Sequence, residues 1–371
     1  MIDLQIISLN SDFANKSNLY IFKTKLMSTI LKTQSVILCP VCNSEGETFL
    51  DNCPDRICHI PGNWSFKKCQ ECDSIWLDPF PQKDIIPTLY PDNYDVTHLK
   101  AEQPLKEPQK WIRKFIYAFK LGVIERNFNY HNLNHKTTCY WGFFLGKLFG
   151  FIPSINRRVG HSIKFLPYRS QGRLLEVGSG NGNFLWLMSQ LGWQVEGIEP
   201  DPLAVQVANN NGFNVYQSGI EEADLKPNSY DAIVLNHVIE HIPEPKQALE
   251  KLVDSLKEGG VLISISPNPV GLGSIVFGNK WNGLSDTPRH LILPSPKGYQ
   301  KMLSDKKIKP KIFTNMQIGA WMYKESISIY KTGEVGKYSG KFIPKIASQF
   351  VSLLLPIFPN FGEEVICYVV K

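Results

Sequence analysis

The stretch RLLEVGSGNGNF, residues 173–184, constrains the fold more than any other part of the chain. Arg173 to Val177 read as a short apolar strand, the glycines at 178, 180 and 182 as a tight turn, and Phe184 to Met188 as the opening of an apolar helix. A strand, a glycine turn and a helix in that order present backbone N–H groups at a helix N-terminus, where glycine has no Cβ to obstruct a ligand. The spacing is not that of a dinucleotide cradle. In Gly-x-Gly-x-x-Gly the third glycine would fall at 183, which is Asn183 here, so a pyrophosphate is poorly accommodated.

Further strands follow at βαβ spacing. QVEGIEPD reads as a second buried strand ending in Glu199, about 20 residues past the first glycine, where a carboxylate can accept both hydroxyls of a ribose. FNVYQ reads as a third strand, and SYDAIVLNHVIEHI as a fourth ending near Asn236. KEGGVLISISPNP reads as a helix end, a turn and a fifth strand. Residues 296–307 read as a helix capped near Ser295, and 311–316 as a sixth strand. This order predicts an α/β, doubly wound sheet.

Glu176 two residues before Gly178, followed by Gly-x-Gly-x-Gly, resembles motif I of the class I S-adenosylmethionine-dependent methyltransferases. The resemblance covers about residues 170–316 and, more loosely, 364–371. It implies a Rossmann-like seven-stranded sheet whose last strand, EVICYVVK, enters antiparallel between the fifth and sixth, with S-adenosyl-L-methionine as cofactor. Glu176, Gly178, Ser179, Gly180 and Gly182 would then wrap the methionine part, Glu176 anchoring its ammonium directly or through water. Glu199 would hold the ribose, SGIEEADL would place Ile220 and Glu221 against the adenine, and Pro200 and Asn236 complete the cofactor set. A turn with incidental glycines is the alternative for the motif alone.

Of the 371 residues, 43% are hydrophobic and 20% charged, enough for a full core and a smaller domain. The net charge of +6 is modest and dispersed, which gives a nucleic-acid partner little support. The start MIDLQIISL lacks a basic n-region and cleavage site, so a reducing, cytoplasmic compartment is expected. Residues 1–35 read as an extension, of which 1–26 carry no pattern and could be a misassigned start.

Cys39 and Cys42 in CPVC are answered by Cys69 and Cys72 in CQEC. Two such knuckles can offer four thiolates to one tetrahedral ion, and zinc suits that set where disulfides are not maintained. Cys53, Cys58 and His59 lie in the intervening loop and read as ordinary side chains, with replacement of one ligand as their alternative; disulfide pairing is the alternative for the knuckles. The following SIWLDPFPQ resembles a segment found ahead of many bacterial class I methyltransferases of polysaccharide and surface-glycan synthesis. Residues 36–91 are therefore expected to form a zinc-ribbon-like module, held by a structural ion and separable from the chemistry.

Residues 92–169 read as a helical linker or cap. WIRKFIYAFKLGVIERNF and YWGFFLGKLFGFIPSI have helical apolar spacing and are expected to be buried over the cofactor cleft, with peripheral contact to the inner face of a membrane as the alternative. Neither approaches the ~20 apolar residues that span a bilayer. Within the expected methyltransferase domain, 170–371, the segment 271–296 should lie over the carboxyl ends of the strands as a substrate loop. From Trp281 to Leu291 it resembles the Trp…Pro-Arg-His-Leu segment of the same methyltransferases. An insertion at about 318–362 carries FVSLLLPIFPNF and several lysines, and its prolines argue against one long helix.

Methyl transfer to a hydroxyl needs the nucleophile within about 3–3.5 Å of the methyl carbon and a base for the proton. His237, Glu240, His241 and His290 are the candidates, His237 as a neutral imidazole just past the fourth strand. Some relatives bind a divalent metal through Glu-x-x-Glu-His here; this chain has His237 in place of the first glutamate, and the sequence does not place the further histidine needed. The expected substrate is a small molecule, a sugar or surface-glycan precursor carried on a nucleotide or lipid. A protein or tRNA methyltransferase and a non-catalytic cofactor-binding regulator are the other readings.

Overall fold

The computed structural model describes residues 32–62, 64–90, 110–131, 133–306 and 308–371. The expectations for residues 1–31 and for the first part of the linker, 92–109, lie outside the described residues. Thr33–Gln34, inside the expected extension, pairs with Phe80–Pro81 as a short antiparallel ladder.

The chain forms three strands, β1 (Gly46–Leu50), β2 (Ser65–Cys69) and β3 (Ile75–Asp78), then three helices, α1 (Trp111–Asn127), α2 (Tyr140–Phe149) and α3 (Pro153–Ser162). The alternating half follows: β4 (Arg173–Val177), α4 (Asn183–Gln190), β5 (Gln194–Glu199), α5 (Pro202–Asn210), β6 (Asn214–Gln217), β7 (Tyr230–Asn236), α6 (Pro245–Ser255) and β8 (Leu256–Pro267). After it come α7 (Leu272–Phe277), β9 (Ile292–Leu293), α8 (Pro296–Met302), β10 (Lys311–Asn315), α9 (Gly319–Thr332), α10 (Phe342–Leu354) and β11 (Glu364–Val370). Local chemistry sets several of these boundaries. Proline occupies the first helical position of α3, α5, α6 and α8, where its missing N–H has no partner to lose. Asp201 and Ser295 cap α5 and α8 by accepting from Leu203 N and Gly298 N.

The seven-stranded sheet runs β10-β11-β8-β7-β4-β5-β6. β11 is antiparallel to both β8 and β10, as expected for the closing strand. The strand side chains alternate between two covered faces, which is why the strands read as continuous apolar runs. Leu174, Ala232, Val234, Ile263 and Ile366 meet α1–α3 on one face. Leu175, Ile233, Leu235, Leu262 and Cys367 join the core of the cysteine module on the other.

Two expectations are corrected here. The helices α1–α3 lie on a sheet face rather than over the cofactor cleft, and only the end of α3 reaches the strand ends, where His161 Nε2 is 3.1 Å from Glu364 Oε1. α1 and α2 meet through glycines: a Cβ on Gly146 would come 2.0 Å from Phe119 O. Their outer faces stay open, with Trp111 and Trp141 each 75% exposed. The cysteine module is likewise not separate. β9, from the segment after β8, pairs with β3 (Ile292↔Trp76, Leu293↔Ile75) and makes one four-stranded sheet, β9-β3-β2-β1. Arg289, fully buried, donates to both oxygens of Asp55 at 2.9 and 3.1 Å and to Leu89 O at 3.1 Å. A module too small for its own core has borrowed that of its neighbour.

Candidate active site at the carboxyl ends of the strands

The glycine loop between β4 and α4 folds back on β5. Gly178 N donates to Ile198 O at 2.8 Å, and Gly180 N to Glu199 Oε2 at 2.8 Å. Gly178, Gly180 and Gly182 have φ of +69°, +51° and +82°, a region L side chains rarely adopt. A Cβ at Gly180 would meet nothing within 4 Å, so the loop is open on that side. Glu199 Oε1 accepts from Asp201 N at 3.1 Å, and burial raises its carboxyl.

Glu176 is buried and burial pushes its carboxyl well up, partly offset by Lys164. Its Oε2, with Ser179 Oγ and Asn236 Oδ1, is buried without a hydrogen-bond partner. Buried polar atoms are almost always paired, so three such acceptors on adjoining strand ends fit a bound molecule that brings donors. An ammonium group and hydroxyls, as on S-adenosylmethionine, are donors of that kind. The structure thus gathers Glu176, Gly178, Ser179, Gly180, Gly182, Glu199 and Asn236 around the ends of β4, β5 and β7. Pro200 is exposed beyond Glu199. Ile220 is buried in the core cluster and Glu221 exposed, their loop tied to α6 by Lys251 Nζ, 2.9 Å from each carbonyl.

A second group of side chains lies beyond β7. His237, at φ +56°, is held between two acids, with Nδ1 3.3 Å from Glu240 Oε1 and Nε2 3.1 Å from Glu364 Oε1. Burial works against its charge, but the contacts with the two carboxylates prevail and raise it to about 9. The same pair holds Glu364 down, to about 2, through its bonds with His161 and His237 despite burial. His237 is therefore an imidazolium near neutral pH, which corrects the expectation of a neutral imidazole base.

His241 is the opposite case. Burial first, then neighbouring His290, lowers it to about 4, so it is neutral. Its Nδ1 lies 3.0 Å from Arg289 O, and His290 Nδ1 lies 2.7 Å from Gly283 O. A carbonyl only accepts, so each Nδ1 carries a hydrogen and neutral His241 is left with a lone pair on Nε2. The rings are 4.9 Å apart. One ligand atom each from Glu240, His241 and His290 lies within 4.8 Å of the others, and imidazoles anchored through the second ring nitrogen are typical of metal ligands. His290 is the histidine the sequence did not place. Glu364, His161 and Lys164 were missed altogether; the available signal was the acid pair Glu363-Glu364 at the start of an apolar strand.

The four knuckle cysteines converge, with Cys39 Sγ to Cys72 Sγ at 3.7 Å and Cys42 Sγ to Cys69 Sγ at 3.4 Å. A tetrahedral ion with zinc–sulfur bonds of about 2.3 Å separates its sulfurs by about 3.8 Å, so the donor set fits. The thiol of Cys72 is lowered to about 5, chiefly by the hydrogen bond from Cys39. Cys53, Cys58 and His59 do not belong to the cluster.

With this geometry in view, residues 152–305 match the family model described as a methyltransferase domain. The chain therefore carries a methyltransferase domain over those residues, with a tetracysteine cluster ahead of it. It is similar to the ubiquinone biosynthesis O-methyltransferase of Xanthomonas campestris, 30% identical over 118 residues, 29% of this chain and 49% of that protein. That of Saccharophagus degradans is 32% identical over 109 residues, 27% and 46% of the two chains. The mitochondrial enzyme of Schizosaccharomyces pombe is 28% identical over 99 residues, 24% and 36%. The chain thus spans half or less of these relatives. Among solved structures, a methyltransferase from Archaeoglobus fulgidus has TM-score 0.41 at 19% identity, covering 62% of this chain and 100% of its own. Geranyl diphosphate methyltransferase has TM-score 0.40 at 14% identity, covering 57% and 75%.

Proposed function

We propose that the protein transfers a methyl group from S-adenosylmethionine to a hydroxyl oxygen of a small molecule. The observation that carries this is the trio of unpaired buried acceptors, Glu176 Oε2, Ser179 Oγ and Asn236 Oδ1, beside an open glycine loop. The cofactor supplies an activated methyl on a sulfonium; the chain's residues hold it and position the acceptor. Glu176 and Glu199 receive its ammonium and ribose hydroxyls. Neutral His241 presents a lone pair, and His290 is anchored beside it, so either imidazole can take the hydroxyl proton. His237, as a cation, neutralises Glu240 and Glu364 and keeps two buried acids from repelling the rest of the site.

The O-methyltransferase names of the relatives support oxygen as the acceptor. The finer reading, a nucleotide- or lipid-linked sugar of a surface-glycan precursor, rests on the SIWLDPFPQ segment after the knuckles. Zinc held by Cys39, Cys42, Cys69 and Cys72 would have no open coordination position and would act through folding. A second reading of the acceptor site is supported by the Glu240, His241 and His290 cluster: those residues would hold a divalent ion, which would acidify the acceptor hydroxyl.

His290→Ala tests both. Cofactor affinity should stay within about twofold while turnover on a hydroxylated acceptor falls at least about a hundredfold. Metal analysis separates the readings: loss of a second ion beyond the zinc favours the metal, and an unchanged single zinc favours the base. Full turnover in the variant would remove His290 from the chemistry. Acceptors would be found by mass spectrometry of nucleotide-sugar and lipid-linked sugar pools in a deletion strain.

A further inference from the structure

The insertion of 318–362 takes no part in the site described above. It forms a hairpin of α9 and α10, held by Met316, Tyr323, Val351 and Leu355 at its centre. α10 turns Pro344, Ser348 and Val351 inward. Its other side is apolar and open: Phe342, Ile343, Ile346, Phe350 and Leu353 are exposed, from 48% at Ile346 to 74% at Phe342. At 3.6 residues per turn these five fall within about 100° of arc, one continuous face. Ile357, just past the helix, is 70% exposed as well.

A soluble surface helix places its polar residues on that side, so an unbroken apolar face calls for an occupant. The charges say which. Lys341 and Lys345 run along one border of the face and are exposed, and Lys337 precedes them. Residues 335–362 contain no Asp or Glu. A face of large apolar side chains, bordered by lysines and free of acids, matches a bilayer surface with anionic headgroups: the rings and aliphatic chains enter the acyl boundary while the ammonium groups stay among the phosphates. Among the described residues no helix is long and apolar enough to cross a membrane, so such contact would lie in the interface plane.

We infer that α10 is a membrane-docking helix that seats the protein on an anionic lipid bilayer. The docking also bears on the substrate loop. α7, the first helix of that loop, packs Leu272 and Phe277 against the hairpin's core and exposes Ile275 and Val276. A bilayer under α10 therefore brings the loop near the lipid surface, where amphiphilic acceptors concentrate. α1 and α2 also expose apolar residues, Trp111 and Trp141 among them, and are not part of this proposal.

The test is co-flotation of the full chain with vesicles of phosphatidylcholine plus phosphatidylglycerol, and with vesicles of phosphatidylcholine alone. It reads membrane binding without turnover, so its outcome is independent of the methyl-transfer reading. The account expects salt-sensitive binding to the anionic vesicles. Phe350→Ser and Leu353→Ser, both at exposed positions, should each lower partitioning roughly tenfold. Lys341→Glu with Lys345→Glu should lower it by a similar factor or more. Circular dichroism and thermal melting confirm that the variants remain folded. Failure of the wild type to float, equal binding to neutral vesicles, or insensitivity to all four substitutions would overturn the proposal. So would a wild-type dimer in sedimentation that Phe350→Ser dissolves, because the occupant would then be a second copy.

Discussion

The two halves of the site are built in different ways. On the cofactor side, Glu176, the three glycines and Glu199 come from one contiguous strand–loop–helix–strand unit, and backbone groups make its decisive contacts. On the acceptor side, His161, the His237–Glu240 stretch, His290 and Glu364 come from segments far apart in sequence and meet largely through side chains, helped by Leu291 N donating to Glu240 O at 2.7 Å. Asp55 and Arg289 then lock the acceptor segment to the cysteine module from more than two hundred residues apart in sequence. A local unit can be recognised from spacing, whereas a long-range constellation exists only once the fold is formed.

The largest effect should come from the knuckles. A zinc ion held by the four thiolates would supply binding free energy on the order of 10 kcal/mol that is also folding free energy, and replacing Cys39 and Cys42 by serine, or chelation, would remove it. Because β9 shares a sheet with β3, the loss should spread past the module and disorder the acceptor segment 271–296. Hydrogen exchange would resolve this: exposure confined to residues 36–80 would restore the separable module that the sequence suggests.

Arg289→Ala comes next. Removing one partner of a buried pair takes the guanidinium from Asp55 and Asp286, at a cost of about 3–5 kcal/mol, although Asp55 keeps the N–H groups of Ile57, Cys58 and Ile60. Urea unfolding measures it, and a double-mutant cycle with Asp55→Ala should show strong coupling. Independent effects would mean the two regions are not joined through this pair.

What the sequence could reveal follows the same division. The strands, the cap at Ser295 and the pairing of the four thiols depend on neighbours within a few residues or on a repeated motif, and the antiparallel last strand follows from the family resemblance. The charge of His237 does not, because it is set by Glu240 and by Glu364 on the last strand. For the same reason His290 could not be placed beside His241 before the loop's return was known. The docking of the module was hidden too, since Ile292–Leu293 is too short to be read as a strand.

A smaller effect concerns Glu363, which accepts from Gly273 N at 2.7 Å and Trp281 Nε1 at 2.8 Å. Burial raises its carboxyl to about 7 against those bonds. A raised acid binds its proton more tightly in the folded state, so the stability this provides is present at low pH. It is lost as pH rises from the unfolded value near 4.5 through about 7. Glu363→Gln should remove that slope, at most about 1.4 kcal/mol per pH unit, in unfolding measured across pH 4–8. An unchanged slope would show that Glu363 is ionised throughout.

Isothermal titration of the full chain with S-adenosylmethionine and its demethylated product tests the cofactor half most directly. The account expects both to bind, and Glu199→Ala to weaken them by a factor of about ten to several hundred, the loss of two charge-assisted ribose hydrogen bonds of about 1.5–3 kcal/mol each with compensation. No heat with either ligand, or an unchanged dissociation constant in Glu199→Ala, would contradict the placement of the cofactor at the ends of β4 and β5.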